Sequence, residues 1–183
     1  MIGNKTVVYT ANSNPGYNTT NDFGGATISS NYWLDSNKVG IIIFDKDITT
    51  FGTLFKEKNI TGVTLPKSVT SIGESAFYGC QALTSIDIPE GVETINKYAF
   101  SYCNTLGSIK LPSTLKSIGE QTFYTNCNSV WVYCKATTPP TLGTKAFNVN
   151  KSLSLFVPRT LLNVYESSEW VTTYSARINP YTF

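Results

Sequence analysis

Apolar side chains recur along this chain in a two-residue alternation that restarts every 23 residues. Val63-Thr64-Leu65-Pro66, Ile86-Asp87-Ile88-Pro89 and Ile109-Lys110-Leu111-Pro112 stand 23 apart, as do Phe77, Phe100 and Phe123. Val69, Val92 and Leu115 keep the spacing, and so do Ile72, Ile95 and Ile118. Two more degenerate turns follow, at Val132-Tyr133-Cys134 and Leu155-Phe156-Val157-Pro158. On the N-terminal side Ile41-Ile42-Ile43-Phe44 and Ile48-Thr49-Thr50-Phe51-Gly52 read as an imperfect turn, one or two residues shorter. A fixed period overrides residue-by-residue assignment, because one such unit cannot bury its apolar face alone and must stack on the next. Alternation marks a short strand, and Pro ends it because it has no N–H for the ladder. The pattern predicts an α/β repeat solenoid, a right-handed coil of short parallel strands, with about five coils over residues 40–158.

Parallel strands stack about 4.8 Å apart, so each repeated position becomes a column of like residues. The Leu/Ile columns are expected in the core. The Phe77, Phe100 and Phe123 column is expected on the opposite wall, after a 3₁₀ or one-turn helix. Cys80 and Cys103 share a repeat position and Cys134 falls in the Ile88/Leu111 column, which reads as buried free thiols. A Cys80–Cys103 disulfide is the geometrically possible alternative. Cys127 lies one residue off the cysteine column, which passes through Asn126.

Outside the repeat, residues 1–39 are rich in Asn, Thr, Ser and Gly, with an early Thr6–Thr10 strand and a later Tyr32-Trp33-Leu34. A solenoid needs its first coil covered, so this segment is expected to be an N-terminal cap. Residues 159–183 carry Leu161, Leu162, Val164, Tyr165, Trp170, Val171 and Tyr174 at mixed spacings of 3 and 4. That predicts a C-terminal helical cap of one or two short amphipathic helices between Arg159 and Ile178.

If Val63, Ile86, Ile109, Val132 and Leu155 point inward, the residues between face out. The outward columns then read Thr64, Asp87, Lys110, Tyr133, Phe156 and Gly62, Ser85, Ser108, Trp131, Ser154. Trp131, Tyr133 and Phe156 would cluster on an otherwise polar face, edged by Lys110 and Asp87. Grouped exposed aromatics suit a partner site. The competing expectation is that the C-terminal segment folds back over these rings and makes them part of the cap.

Only 14 % of residues are charged, against roughly 25 % in typical soluble proteins. The net charge of +2 is spread along the chain, which gives no electrostatic footprint for nucleic acid or an anionic membrane. No apolar run reaches the roughly 18 residues of a membrane span. Histidine is absent, which removes the commonest general base and metal ligand. Serines lack a G-x-S-x-G context, and Gly24-Gly25 and Gly52 have no phosphate-loop spacing. Asp45-Lys46-Asp47 lacks the remaining ligands of a calcium loop and reads as a solvated turn. No cofactor, metal or catalytic residue is expected. Asn4-Lys5-Thr6, Asn18-Thr19-Thr20 and Asn59-Ile60-Thr61 match the glycosylation sequon, which matters only in a eukaryotic secretory pathway.

The segment from Val69-Thr70-Ser71-Ile72-Gly73-Glu74-Ser75-Ala76-Phe77 through Tyr78-Gly79-Cys80-Gln81-Ala82-Leu83-Thr84-Ser85-Ile86 resembles the repeat consensus of BspA-like, or Treponema-type, leucine-rich-repeat proteins. The resemblance spans about residues 40–158, and three units match closely. Cys134 to Gly143, then Val157-Pro158 with Tyr165 and Trp170, resemble the C-terminal end of such proteins from gut anaerobes. It implies a non-enzymatic leucine-rich-repeat module, surface-exposed or secreted, with adhesion to host matrix proteins, other bacteria or epithelial cells. A monomer that binds a protein or glycan ligand is the expectation. The alternative is a purely structural repeat segment of a larger surface protein or a phage virion decoration, favoured by Met1 and by the absence of a signal pattern in Met1-Ile2-Gly3-Asn4-Lys5.

Overall fold

A computed structural model describes residues 3–17, 23–124, 129–147 and 152–182. Cys127, Asn126 and the Asn18-Thr19-Thr20 sequon lie outside the described residues. The strands in chain order are β1 (Thr6–Ala11), β2 (Ile28–Leu34), β3 (Val39–Phe44), β4 (Thr50–Phe51), β5 (Ile60–Thr64), β6 (Ser71–Ile72) and β7 (Ser85–Asp87). They continue with β8 (Thr94–Ile95), β9 (Ser108–Leu111), β10 (Ser117–Ile118), β11 (Ser129–Cys134), β12 (Thr141–Leu142), β13 (Ser152–Pro158) and β14 (Arg177–Tyr181). Between the last two lie a 3₁₀ turn (Arg159–Leu161), α1 (Leu162–Glu166) and α2 (Glu169–Thr172).

The repeat builds a parallel β-solenoid of about five turns. One wall is the five-stranded parallel sheet β14-β13-β11-β9-β7, and a second is the sheet of two-residue strands β12-β10-β8-β6-β4. The register pairs Ile86 with Ile109, Ile109 with Val132 and Val132 with Leu155, which is the predicted phase. Ile109, Val132 and Leu155 are fully buried, while Asp87 and Lys110 face out.

The third wall carries the phenylalanines. Phe77 stacks on Phe100 at 5.0 Å and Phe100 on Phe123 at 5.3 Å; the column continues to Phe147, and at its other end the Phe77 ring meets that of Phe51 from β4 of the second wall. The expected 3₁₀ or single helical turn before each Phe does not form. Alternate amides close local turns, as in Ala76 to Gly73 and Tyr78 to Ser75, but those between donate to the next coil, as Phe77 N–H does to the Ala99 carbonyl at 2.8 Å. A helix would take every amide for itself, whereas this arrangement shares them with the neighbouring turn. It needs left-handed residues in two columns, Ser75, Tyr98, Gln121 and Lys145 with φ between 49° and 58°, and Glu57, Gly79 and Tyr102 with φ between 60° and 71°.

Ile41–Phe44 is not part of a coil. It forms β3, which pairs antiparallel with β1 and β2 in the sheet β2-β3-β1-β5. The alternation of β3, with Ile42 and Phe44 buried, satisfies an antiparallel partner as well as a parallel one, so periodicity alone cannot choose between them. Gly40 is required here because a Cβ would run into the Tyr9 ring lying across it. The sheet joins the repeat through β5, which pairs with β1.

The C-terminal expectation of helices through Ile178 is half met. Tyr165 and Trp170 of α1 and α2 are fully buried, but the chain then turns into β14, which adds a parallel strand to β13. Pro180 is tolerated because β14 is the edge of its sheet.

Cys80, Cys103 and Cys134 are buried free thiols. The Sγ–H groups of Cys80 and Cys103 each donate, at 3.0 Å, to a carbonyl of the preceding coil, Phe55 and Phe77 respectively. The Cys80 thiol beside it, together with burial, pushes the Cys103 thiol well up, and burial raises the Cys134 thiol against the opposing hydrogen bond of Tyr165. A thiol held neutral and out of solvent is a poor nucleophile. In a Cys127→Ser background, these three cysteines are expected to resist alkylation in the folded protein and to react fully in denaturant without reductant. Mass spectrometry reads this site by site; incomplete labelling in denaturant would indicate a disulfide.

Candidate functional site: an aromatic patch on the parallel sheet

Strand alternation buries Val130, Val132 and Cys134 of β11 and turns Trp131 and Tyr133 outward. The parallel register then sets Tyr133 between Lys110 and Phe156, and Trp131 between Ser108 and Ser154. Phe156 pairs in turn with Asn179, and Pro158 with Tyr181. The rings meet: Tyr133 stacks on Phe156 at 4.7 Å, Trp131 lies 6.0 Å from Phe156, and Tyr181 packs edge-on against Tyr133 at 4.9 Å.

The patch is open. Trp131 is 51 % exposed and Tyr181 is 42 % exposed, while Tyr133 and Phe156 are half-buried by their neighbours. The C-terminal segment leaves Trp131 open but packs Tyr181 on Tyr133 and Phe156, so the expectation that it covers the rings is met only for these two, and in part. The apolar residues after Arg159 find their place at the end of the stack, with Trp170 against Phe147 at 5.3 Å and its indole N–H donating to the Pro140 carbonyl at 3.0 Å. The Tyr165 hydroxyl donates to the Ala136 carbonyl at 2.8 Å, and burial pushes this phenol far up.

The charged rim is paired. Lys110 Nζ meets Asp87 Oδ2 at 3.0 Å and Lys135 Nζ meets Glu90 Oε1 at 3.4 Å. The Asp87 carboxylate, with smaller effects from the nearby Tyr181 and Tyr133 phenols, holds the Lys110 ammonium above its usual range. Both pairs are exposed, so they stabilise the fold little and chiefly set the electrostatic character of the rim.

The structure brings Trp131, Tyr133, Phe156, Lys110 and Asp87 onto one face. Thr64, the first member of the outward column, stands apart, since β5 pairs with β1 rather than β7. At that seam lies a groove of about 580 Å³ lined by Val8, Thr10, Gly62, Thr64, Ser85 and Asp87. Sequence reasoning missed Tyr181, although the period contained it: Pro158 and Tyr181 are 23 apart and are register partners.

Other candidate chemistry resolves locally. Asp45 accepts hydrogen bonds from the Thr27 amide at 2.8 Å and hydroxyl at 3.0 Å, which lower its carboxyl, and Asp47 accepts one from Asn4. Among the described residues no three Cys, Asp or Glu side chains converge as a metal site. Among the same residues no helix is long and apolar enough to cross a membrane.

No curated protein matches the chain. The sequence model for the BspA type leucine rich repeat region matches it in six copies over residues 51–168. Together with the parallel solenoid and its 23-residue register, that match places this chain in the BspA-type leucine-rich-repeat family.

Proposed function

We propose that this chain is a non-enzymatic interaction module, exported to a cell surface or secreted, that holds a protein or glycan ligand on the outward face of its parallel sheet. The observation that carries the reading is the convergence of Trp131, Tyr133, Phe156 and Tyr181 on three adjoining strands, with Trp131 and Tyr181 about half in solvent. Leucine-rich-repeat solenoids bind partners on extended faces that successive repeats build up. Trp and Tyr commonly carry most of the energy at such contacts.

A screen against matrix proteins, mucin and a glycan array identifies ligands, and Trp131→Ala and Tyr133→Ala locate the contact. Each substitution is expected to weaken binding by about 2 kcal/mol or more. The melting temperature of Trp131→Ala should barely move, because Trp131 is half in solvent and its loss opens no cavity. A ligand held equally well by the double variant would remove the patch from the reading.

A further inference from the structure

We infer that the partner held on this face is a protein that presents an acidic segment, a carboxylate beside apolar side chains, and that Arg177 receives the carboxylate. The inference rests on the preceding reading that the aromatic face is the ligand site, and it names the partner's chemistry.

The column of outward positions that holds Trp131 continues through Ser154 to Arg177, because β11, β13 and β14 run in parallel register. The backbones at Trp131 and Arg177 stand two strand spacings apart, about 9.6 Å. Only the short Ser154 side chain lies between them in the column, so it floors a trough. Phe156, two residues along β13, closes one end, with its ring 6.0 Å from that of Trp131. A partner side chain entering this trough meets an aromatic face on one side and a cation on the other.

Arg177 is exposed and, among the described residues, makes no ion pair. The three strands that carry the rings hold no Asp or Glu, and Arg177 is their one charged residue. At the rim, Asp87 and Glu90 are already matched by Lys110 and Lys135, so the face as a whole keeps a positive charge. An acidic segment therefore finds an unbalanced cation and no like charge among the rings. The kind of cation points to a protein. A guanidinium takes a carboxylate through two parallel hydrogen bonds and stacks on rings. Trp, Tyr and Arg are the residues that dominate protein–protein contacts, while Lys is depleted there. Here the rings and Arg177 share the three strands, and both lysines stand at the rim. A sulfated or uronic polysaccharide repeats its charge along its length and would call for a row of cations. Pro180 has no N–H to offer an added strand at the β14 edge, so the contact is made by side chains on the face.

The test selects a random dodecapeptide library on the whole chain and measures the recovered peptides by calorimetry, beside heparin, polygalacturonate and sialyllactose. The recovered peptides are expected to carry Asp or Glu next to aromatic or aliphatic residues, and to bind less tightly as salt rises. Arg177→Ala should weaken them about tenfold or more. Arg177→Lys should fall between that variant and the parent protein, since Lys keeps the charge and loses the fork. Arg177→Glu should reverse the preference, binding peptides with Lys in place of the acidic residue better than the original ones. Arg177 is exposed on an edge strand, so thermal melts of these variants should match that of the parent protein.

Recovered peptides that lack acidic residues, ignore Arg177→Ala and are lost in Trp131→Ala overturn the acidic partner and leave the aromatic face standing as the ligand site. Binding of the anionic glycans alone, or of neither class, overturns the assignment to a protein segment. Acidic peptides held equally well by the Trp131→Ala/Tyr133→Ala double variant overturn both this inference and the reading beneath it.

Discussion

Phe100→Ala is expected to destabilise the domain by about 3 to 5 kcal/mol, the usual cost of deleting a buried phenyl ring. Phe100 is fully buried and sits between Phe77 at 5.0 Å and Phe123 at 5.3 Å, so its loss empties a space in the middle of the column. The coils cannot close on that space, because three sets of inter-coil hydrogen bonds hold their spacing. Phe100 N–H itself donates to the Thr122 carbonyl at 2.9 Å, Ile95 pairs with Ile118, and Ile86 pairs with Ile109. A site that cannot collapse incurs the larger cavity cost. For a chain of this size the melting temperature should fall by about 10 °C. Urea unfolding of Phe100→Ala beside Tyr102→Ala checks this, since Tyr102 is 44 % exposed two residues away. Equal losses in the two variants would mean that the phenyl column does not bear on stability.

Trp170→Ala should cost about the same or somewhat more. Trp170 is fully buried, packs on Phe147 at 5.3 Å and Tyr165 at 6.4 Å, and gives its indole N–H to Pro140. Removing it adds an unpartnered carbonyl, worth about 1 to 3 kcal/mol where buried, to the cavity left by the ring. The damage should be local first, because each coil of a repeat array leans only on its neighbours. Hydrogen exchange should therefore quicken in β12, β13 and β14 before it does in β6 and β8. A uniform increase across all coils would show that the array unfolds as a single unit. Trp131→Ala is the internal comparison, with the same deletion made on the open face.

Those two sites differ in how they could be read from sequence. The Phe column, the inward Ile86/Ile109/Val132/Leu155 row and the outward Tyr133/Phe156 row all follow from a spacing that converts directly into a register. The N-terminal sheet does not, because Ile42 and Phe44 alternate correctly for either strand direction and β2 stands in the chain between β1 and β3. Whether the aromatic rings are covered was equally beyond local pattern, since it depends on where Trp170 finds an apolar surface. Phe147 provides one at the end of the stack. The Phe wall was placed correctly, but its backbone was misjudged, since whether amides bond within a turn or across turns depends on the neighbouring coil. Tyr181 was legible and overlooked: the polar, proline-bearing Arg177–Tyr181 segment hides a strand that only the continued count of 23 exposes.

Every register pairing in the strand-face sheet joins residues 23 positions apart, from Ile86 with Ile109 to Leu155 with Ile178. Chain length is thus a free variable for this architecture. Excision of one whole period, residues 86–108, would bring Ser85 up to Ile109 as its new successor, with the same kinds of side chain above and below. Such a change would alter reach without altering chemistry. The aromatic face, carried on β11, β13 and β14, would draw nearer to the antiparallel sheet by one strand spacing, about 4.8 Å. The distance between the two ends of the solenoid is thus set by the number of coils, while the ring cluster on β11, β13 and β14 stays as it is.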